Sequence, residues 1–246
     1  MTTLNRRLPG VLGDVLFLLG YAVSLLLVLA LERGLLLYVS RDLADPIPLA
    51  DLVRAFGVGV RFDLMVTCLL AVPVVIALLF ARGLGQRRVT FASLVTGGLV
   101  VIFAGVVELE FYRQFHTRLN SIAFHYLSAD AKTVSSMLWY GYPVIRYLLL
   151  WGVLGALYVG LLVLANHLTR QVHLHVPSPK LVRVPLVLLL AFLTAWGGRG
   201  TLRAGPPLRW GDAFHSSHLF ANHLALNGTY TLAKAALEEH KDKGSA

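Results

Sequence analysis

Long apolar stretches separated by short polar ones organise this chain, and none shows the strict alternation of a half-buried strand. Runs with few or no charges cover residues 15–31, 64–80, 89–107, 147–165 and 184–196. A helix needs about 20 such residues to cross the hydrocarbon core of a bilayer. Five spans are therefore expected. The fifth is the shortest, bounded by Arg183 and Arg199, and a re-entrant segment is its alternative. The pattern predicts an all-α fold, a polytopic membrane bundle of five transmembrane helices with an interfacial amphipathic helix layer and a short external helical tail. The bundle is expected over 1–198, with an interfacial collar at about 108–143, and a linker and helical tail over 199–246.

Composition agrees with this picture: 57% of residues are hydrophobic, 14% are charged, and the mean hydropathy is +0.69. These values lie outside the soluble range. The first apolar run follows Arg6 and Arg7, as a secretory signal would, but it is long and has no small-residue cleavage site after it, so it reads as an anchor. Cys68 is the single cysteine and permits no internal disulfide.

Five spans put the termini on opposite sides, and loop cations choose the sides. Arg6, Arg7, Arg82, Arg87, Arg88, Arg170, Lys180 and Arg183 fall on one side, against Arg33, Arg41, Arg54, Arg113, Arg118, Lys132 and Arg146 on the other. The early arginines and the short 81–88 loop favour an N-terminus in the cytoplasm and a C-terminus outside. A cell membrane is the expected location. The net charge of +9 suits anionic lipid better than nucleic acid, because the cations flank the spans and form no solvent-facing patch.

In that orientation Arg61 and Asp63 open the second span at its outer end, and Glu108 and Glu110 close the third at the same face. Residues two apart on a helix point to nearly opposite sides, since each step turns about 100°, so Arg61 and Asp63 are poor partners for each other. Glu108, Glu110, Arg113 or a lipid headgroup are the candidate partners. Two readings stand together: an interhelical ion pair that fixes packing, and a contact of Arg61 with an anionic headgroup.

The stretch 108–143 alternates aromatic and charged residues and reads as an interfacial layer. Ser128 is the expected N-cap of a short helix through about Trp139, ended by Gly141 and Pro143. Phe111, Tyr112, Phe115, Phe124, Tyr126, Trp139, Tyr140 and Tyr142 would form an aromatic belt, in which Arg113, Arg118 and Asn120 offer donors to a phosphate. The tail carries two short helical patterns divided by Asn227 and Gly228. His215, His218 and His223 lack acids or cysteines at ligand spacing, as do His173 and His175, so no metal site is expected. No phosphate loop, nucleophilic triad or pair of catalytic carboxylates occurs. A small transporter or channel, and a membrane scaffold for a partner enzyme, remain as alternative functions.

Four stretches, "GVRFDLMV" at 59–66, "ELEFYRQFHTRLNSIAFHYLSAD" at 108–130, "YGYP" at 140–143 and "FANHLALNGTYTLAKA" at 220–235, carry a resemblance to a known family. In their order, and with the five-span pattern, they resemble the N-terminal membrane domain of lipoteichoic acid synthase-like enzymes. These are phosphoglycerol and phosphoethanolamine transferases of the sulfatase superfamily. The resemblance implies an extracellular domain, beyond Ala246, in which a threonine activated by manganese or magnesium passes a lipid headgroup to an acceptor. It implies no catalytic residue and no cofactor in the stretch present. Its expected partners are the membrane, an anionic phospholipid such as phosphatidylglycerol, and that external catalytic domain or a partner protein. Arg61, Asp63, Glu108, Glu110, Arg113, Arg118 and Asn120 are then candidates for structural or headgroup contact.

Overall fold

A computed structural model describes residues 10–80, 87–120, 131–173, 179–201 and 205–244. Among them the chain is helical without strands. The long helices are α1 (Gly10–Val39), α3 (Leu49–Phe80), α4 (Arg87–Phe115), α6 (Val144–His173) and α7 (Lys180–Arg199). Shorter ones are α2 (Arg41–Ala44), α5 (Ala131–Gly141), α8 (Leu219–Ala225) and α9 (Gly228–Gly244). A single 3₁₀ turn spans Trp210–Ala213. Five helices are long and apolar enough to cross a membrane, as the apolar runs predict, and the chain has the build of a multi-pass membrane protein.

Each of the five is longer than the apolar run that announces it. At about 1.5 Å per residue, the 30 residues of α1 and the 32 of α3 reach well past an apolar layer of about 30 Å. The overhang matters most in α3, which begins at Leu49. Arg61 and Asp63 are therefore inside this helix and do not open it. Likewise Glu32 and Arg33 belong to α1, and Glu108 to Phe115 are the last turns of α4. The expected N-cap Ser128 lies outside the described residues, although the short helix and its end at Gly141 are present as α5.

Helix α1 is the hub and packs against α6, α3 and α4, while α7 rests on α3. Burial falls from 44% of the apolar window in α1 and α3, through 33% in α4 and 22% in α6, to 11% in α7. One core is formed by Phe17, Tyr21, Leu25, Val74, Leu78, Ile102, Tyr158 and Leu162. Hydroxyl and indole groups that enter it bond to helix carbonyls: Tyr21 donates to Thr67 (3.1 Å), Tyr158 to Leu94 (2.8 Å) and Trp151 to Leu99 (3.0 Å). Buried donors need partners, and in a helical bundle the available acceptors are carbonyls of the neighbouring helix.

A second core occupies one end of the bundle, where Leu36, Ala55, Phe62, Leu109 and Tyr112 meet Leu208, Phe220, Ala221, Leu224 and Leu226. Thus the segment after α7 does not hang free. Gly200, at φ 70°, closes α7 in the left-handed conformation that glycine adopts without strain, and Leu208 then bonds back to the carbonyl of Arg199. Every residue from Phe220 to Ala225 in α8 is buried against the bundle end.

Candidate functional site

The bundle end that receives α8 holds the charged residues of this region. Helix α1 contributes Glu32 and Arg33, α3 contributes Asp63, and α4 contributes Glu108. Arg118 arrives from just beyond α4, because His116 takes a positive φ of 50° and turns the chain after the helix. All five side chains are sealed from solvent, at 7% exposure for Glu32, 5% for Arg33, 2% for Asp63, 2% for Glu108 and 4% for Arg118.

Arg33 binds Asp63 in a two-pronged pair, its Nη2 lying 2.7 Å from each carboxylate oxygen. Its Nη1 donates to the carbonyls of Leu224 and Leu226, the latter at 3.1 Å. Arg118 binds Glu108 at 2.5 Å, donates through Nε to the carbonyl of His223 (2.9 Å), and through Nη2 reaches Leu226 (2.9 Å). One carbonyl, that of Leu226, thereby accepts from guanidiniums of two different elements. The carbonyls at the C-terminus of a helix have no partner within the helix and carry the negative end of its dipole, so cations are favourable there. The two arginines meet this need for α8 while each neutralises a buried acid.

The acids in turn hold the start of α9. Asn227 caps it, its Oδ1 accepting from the amides of Thr229 (2.9 Å) and Tyr230 (3.2 Å), while its amide donates to Asp63 Oδ1 at 2.8 Å. The Thr231 hydroxyl donates to Glu108 Oε1 at 2.6 Å. Residues 223–231 are consequently fastened from both sides. Three glycines make the space: a Cβ on Gly59 would strike the Arg33 guanidinium, one on Gly105 the Glu32 carboxyl, and one on Gly228 the Glu108 carboxyl. Among these groups remains a cavity of about 30 Å³, room for two or three waters at ~10–15 Å³ each.

The residues singled out in the sequence separate here. Asp63, Glu108 and Arg118 enter the cluster. Asp63 pairs with Arg33 of α1 and with the tail, not with a residue of the third span, and Glu108 pairs with Arg118. Arg61 points elsewhere, as the two-residue spacing requires; it is half-buried, and its Nε lies 3.3 Å from the carbonyl of Gly200. Glu110 accepts from Arg113 (3.0 Å), Gln114 (3.1 Å) and the Tyr147 hydroxyl, and Arg113 itself is exposed. Asn120 is half-buried at the edge of the described stretch. Glu32, Arg33 and Asn227 were not among the sequence candidates. In the sequence Arg33 reads only as a cation beyond the first apolar run, and the fold alone shows its partner.

The tail histidines serve its packing. His223 Nδ1 lies 3.1 Å from the Tyr112 hydroxyl, and burial, with the nearby Arg118 guanidinium, pushes its imidazole down to about 4. Around His215 and Ser216 the amides converge on Asn222 Oδ1 at 2.9 and 3.0 Å, and the Ser216 hydroxyl reaches Asp51 of α3 at 2.5 Å. No group of three or more histidine, cysteine, aspartate or glutamate side chains arranged to hold a metal occurs among the described residues. Comparison of the chain with protein families, curated proteins and solved structures finds no match.

Proposed function

We propose that this chain is the membrane-anchoring and lipid-positioning part of a lipoteichoic acid synthase-like phosphoglycerol or phosphoethanolamine transferase, and that it performs no chemistry by itself. It sits in a bacterial cytoplasmic membrane with its N-terminus inside and the charge cluster at the outer end. The observation that carries this reading is the fastening of residues 223–231 by Arg33, Arg118, Asp63 and Glu108. A segment held through its own carbonyls by buried guanidiniums does not swing. It fixes where α9 begins, so a catalytic domain or partner enzyme mounted on α9 is kept at one height above the lipid.

Headgroup contact then falls to the arginines that the cluster leaves accessible. Arg113 and Arg54 are exposed, and Arg61 is half-buried with only its Nε engaged among the described residues. Guanidinium groups suit phosphodiesters because their N–H fork matches two oxygens. Exposed Trp139 and Tyr140 in α5 suit the headgroup level of a bilayer. A conduit is less well supported, since the tail plugs the charged end and leaves a cavity of only about 30 Å³.

The test is to reconstitute the purified chain with labelled phosphatidylglycerol and phosphatidylethanolamine, add manganese or magnesium, and follow lipid retention and diacylglycerol release. Retention of the anionic lipid, weakened by Arg61→Ala together with Arg113→Ala, and no diacylglycerol are expected. Metal-dependent diacylglycerol release would show that chemistry resides here. Retention that ignores lipid charge and both arginines would remove the lipid-positioning role.

A further inference from the structure

The cavity at the bundle end has a charge count that does not close. Three carboxyl groups line it, Glu32 from α1, Asp63 from α3 and Glu108 from α4, against two guanidiniums, Arg33 from α1 and Arg118 from the turn after α4. The tail contributes Leu226, Asn227 and Gly228, which carry no charge. Asp63 and Glu108 are each matched by a guanidinium at 2.7 and 2.5 Å. Glu32 is not. Its Oε1 has no hydrogen-bond partner among the described residues, it is 7% exposed, and its carboxyl is pressed over Gly105 toward the cavity. Arg33, its neighbour in sequence, spends its Nη groups on Asp63, Leu224 and Leu226.

With every group ionised the site carries one uncompensated negative charge shielded from bulk solvent, an arrangement that buried sites avoid by taking up a cation or a proton. A metal ion is usually held by several converging side chains, and no three histidine, cysteine, aspartate or glutamate side chains among the described residues are arranged to hold one. We propose that this cavity is a proton-binding site, in which Glu32 is a neutral carboxylic acid whose O–H points into the cavity. The balance is simple: one proton from water forms one O–H bond on Glu32, and the site passes from a charge of −1 to zero.

The proton also bears on the tail. Asp63 and Glu108 hold Asn227 and Thr231, and a third negative charge beside them would repel both carboxylates from the positions that seat residues 223–231. Proton occupancy and docking of the tail are therefore coupled.

Infrared spectroscopy of the full chain in lipid nanodiscs tests the assignment. At neutral pH the parent is expected to show the carbonyl stretch of a buried carboxylic acid, which shifts when glutamate is supplied with ¹³C in its carboxyl and disappears in Glu32→Gln. Hydrogen exchange at residues 223–231 should match the parent in Glu32→Gln at neutral pH. At alkaline pH, after correction for intrinsic rates, exchange should become faster in the parent only. Absence of the glutamate-labelled band from the parent sinks the proposal without recourse to any variant, and so does its survival in Glu32→Gln. Thermal stability that depends on whether sodium, potassium or choline is the cation, at constant ionic strength, would assign the site to a metal ion instead.

Discussion

Asp63 and Glu108 have almost no access to solvent, so the cost of each is set by its partner. Removing one member of a buried ion pair leaves an uncompensated charge and costs about 3–5 kcal/mol, whereas replacing both by apolar groups of similar volume is often neutral. Arg33→Ala is therefore expected to lose stability in that range, read as denaturant or thermal unfolding in detergent. Arg33→Met with Asp63→Leu should recover much of the loss. Arg113→Ala, which removes an exposed pair with Glu110, should change stability by less than about 1 kcal/mol. Equal losses for Arg33→Ala and Arg113→Ala would mean that the buried pair carries no special weight. At His223 the prediction concerns acid. Its imidazole is held at about 4, below the ordinary 6.5, so it is neutral in the folded chain and takes up a proton more readily when unfolded. Its contribution is whole above about 6.5 and is lost as the pH falls toward about 4. The melting temperature of the parent should drop relative to that of His223→Gln across this window; parallel curves would refute the assignment.

At the scale of elements, the apolar runs locate the hydrocarbon portion of each helix but not its ends. Arg33 looks like a loop cation and Arg61 with Asp63 like the mouth of a span, because a charge within a helical stretch is costly unless something offsets it. The offset here lies 30 residues away for Asp63 and 191 for the Leu224 carbonyl, distances at which local pattern is silent. What spacing does reveal is local: Arg61 and Asp63 diverge, and Asn227 with Gly228 divides two helices, because Asn227 caps the second. The docking of α8 is likewise hidden, since "FANHLA" is short and mixed, and its burial depends on carbonyl acceptors that no side-chain pattern records. Two glycines of α3 make the packing argument testable. Gly57 has open space where a Cβ would stand, and Gly59 has the Arg33 guanidinium there. Alanine in a helix interior is favoured over glycine by roughly 0.5–1 kcal/mol, so Gly57→Ala should be neutral or stabilising. Gly59→Ala should destabilise by displacing Arg33 from Asp63, and similar melting of the two variants would count against the close approach.

For the whole molecule, five crossings would put the two ends of the chain on opposite sides, and α7 is the helix that decides which side receives the tail. Its start at Lys180 and its end at Arg199 are separated by 20 residues, or about 30 Å at 1.5 Å per residue, enough to cross without the overhang seen in α1 and α3. Arg183 is partly buried and donates to the carbonyl of Leu78 at 2.8 Å, so one end of α7 is tied to the end of α3. The other end is tied through Gly200 to Arg61. Helices α3 and α7 thus run antiparallel, and two full crossings are the expected arrangement. Single cysteines in a Cys68→Ala background make this measurable. Pro179→Cys and Pro206→Cys sit on exposed positions at opposite ends of α7. With an impermeant thiol reagent applied to intact cells, labelling is expected at 206 and not at 179. The reverse pattern would invert the orientation and place the charge cluster on the cytoplasmic side. Labelling at both positions would mean that α7 does not cross, and the tail with its two arginine clamps would then share a side with the loop that precedes α7.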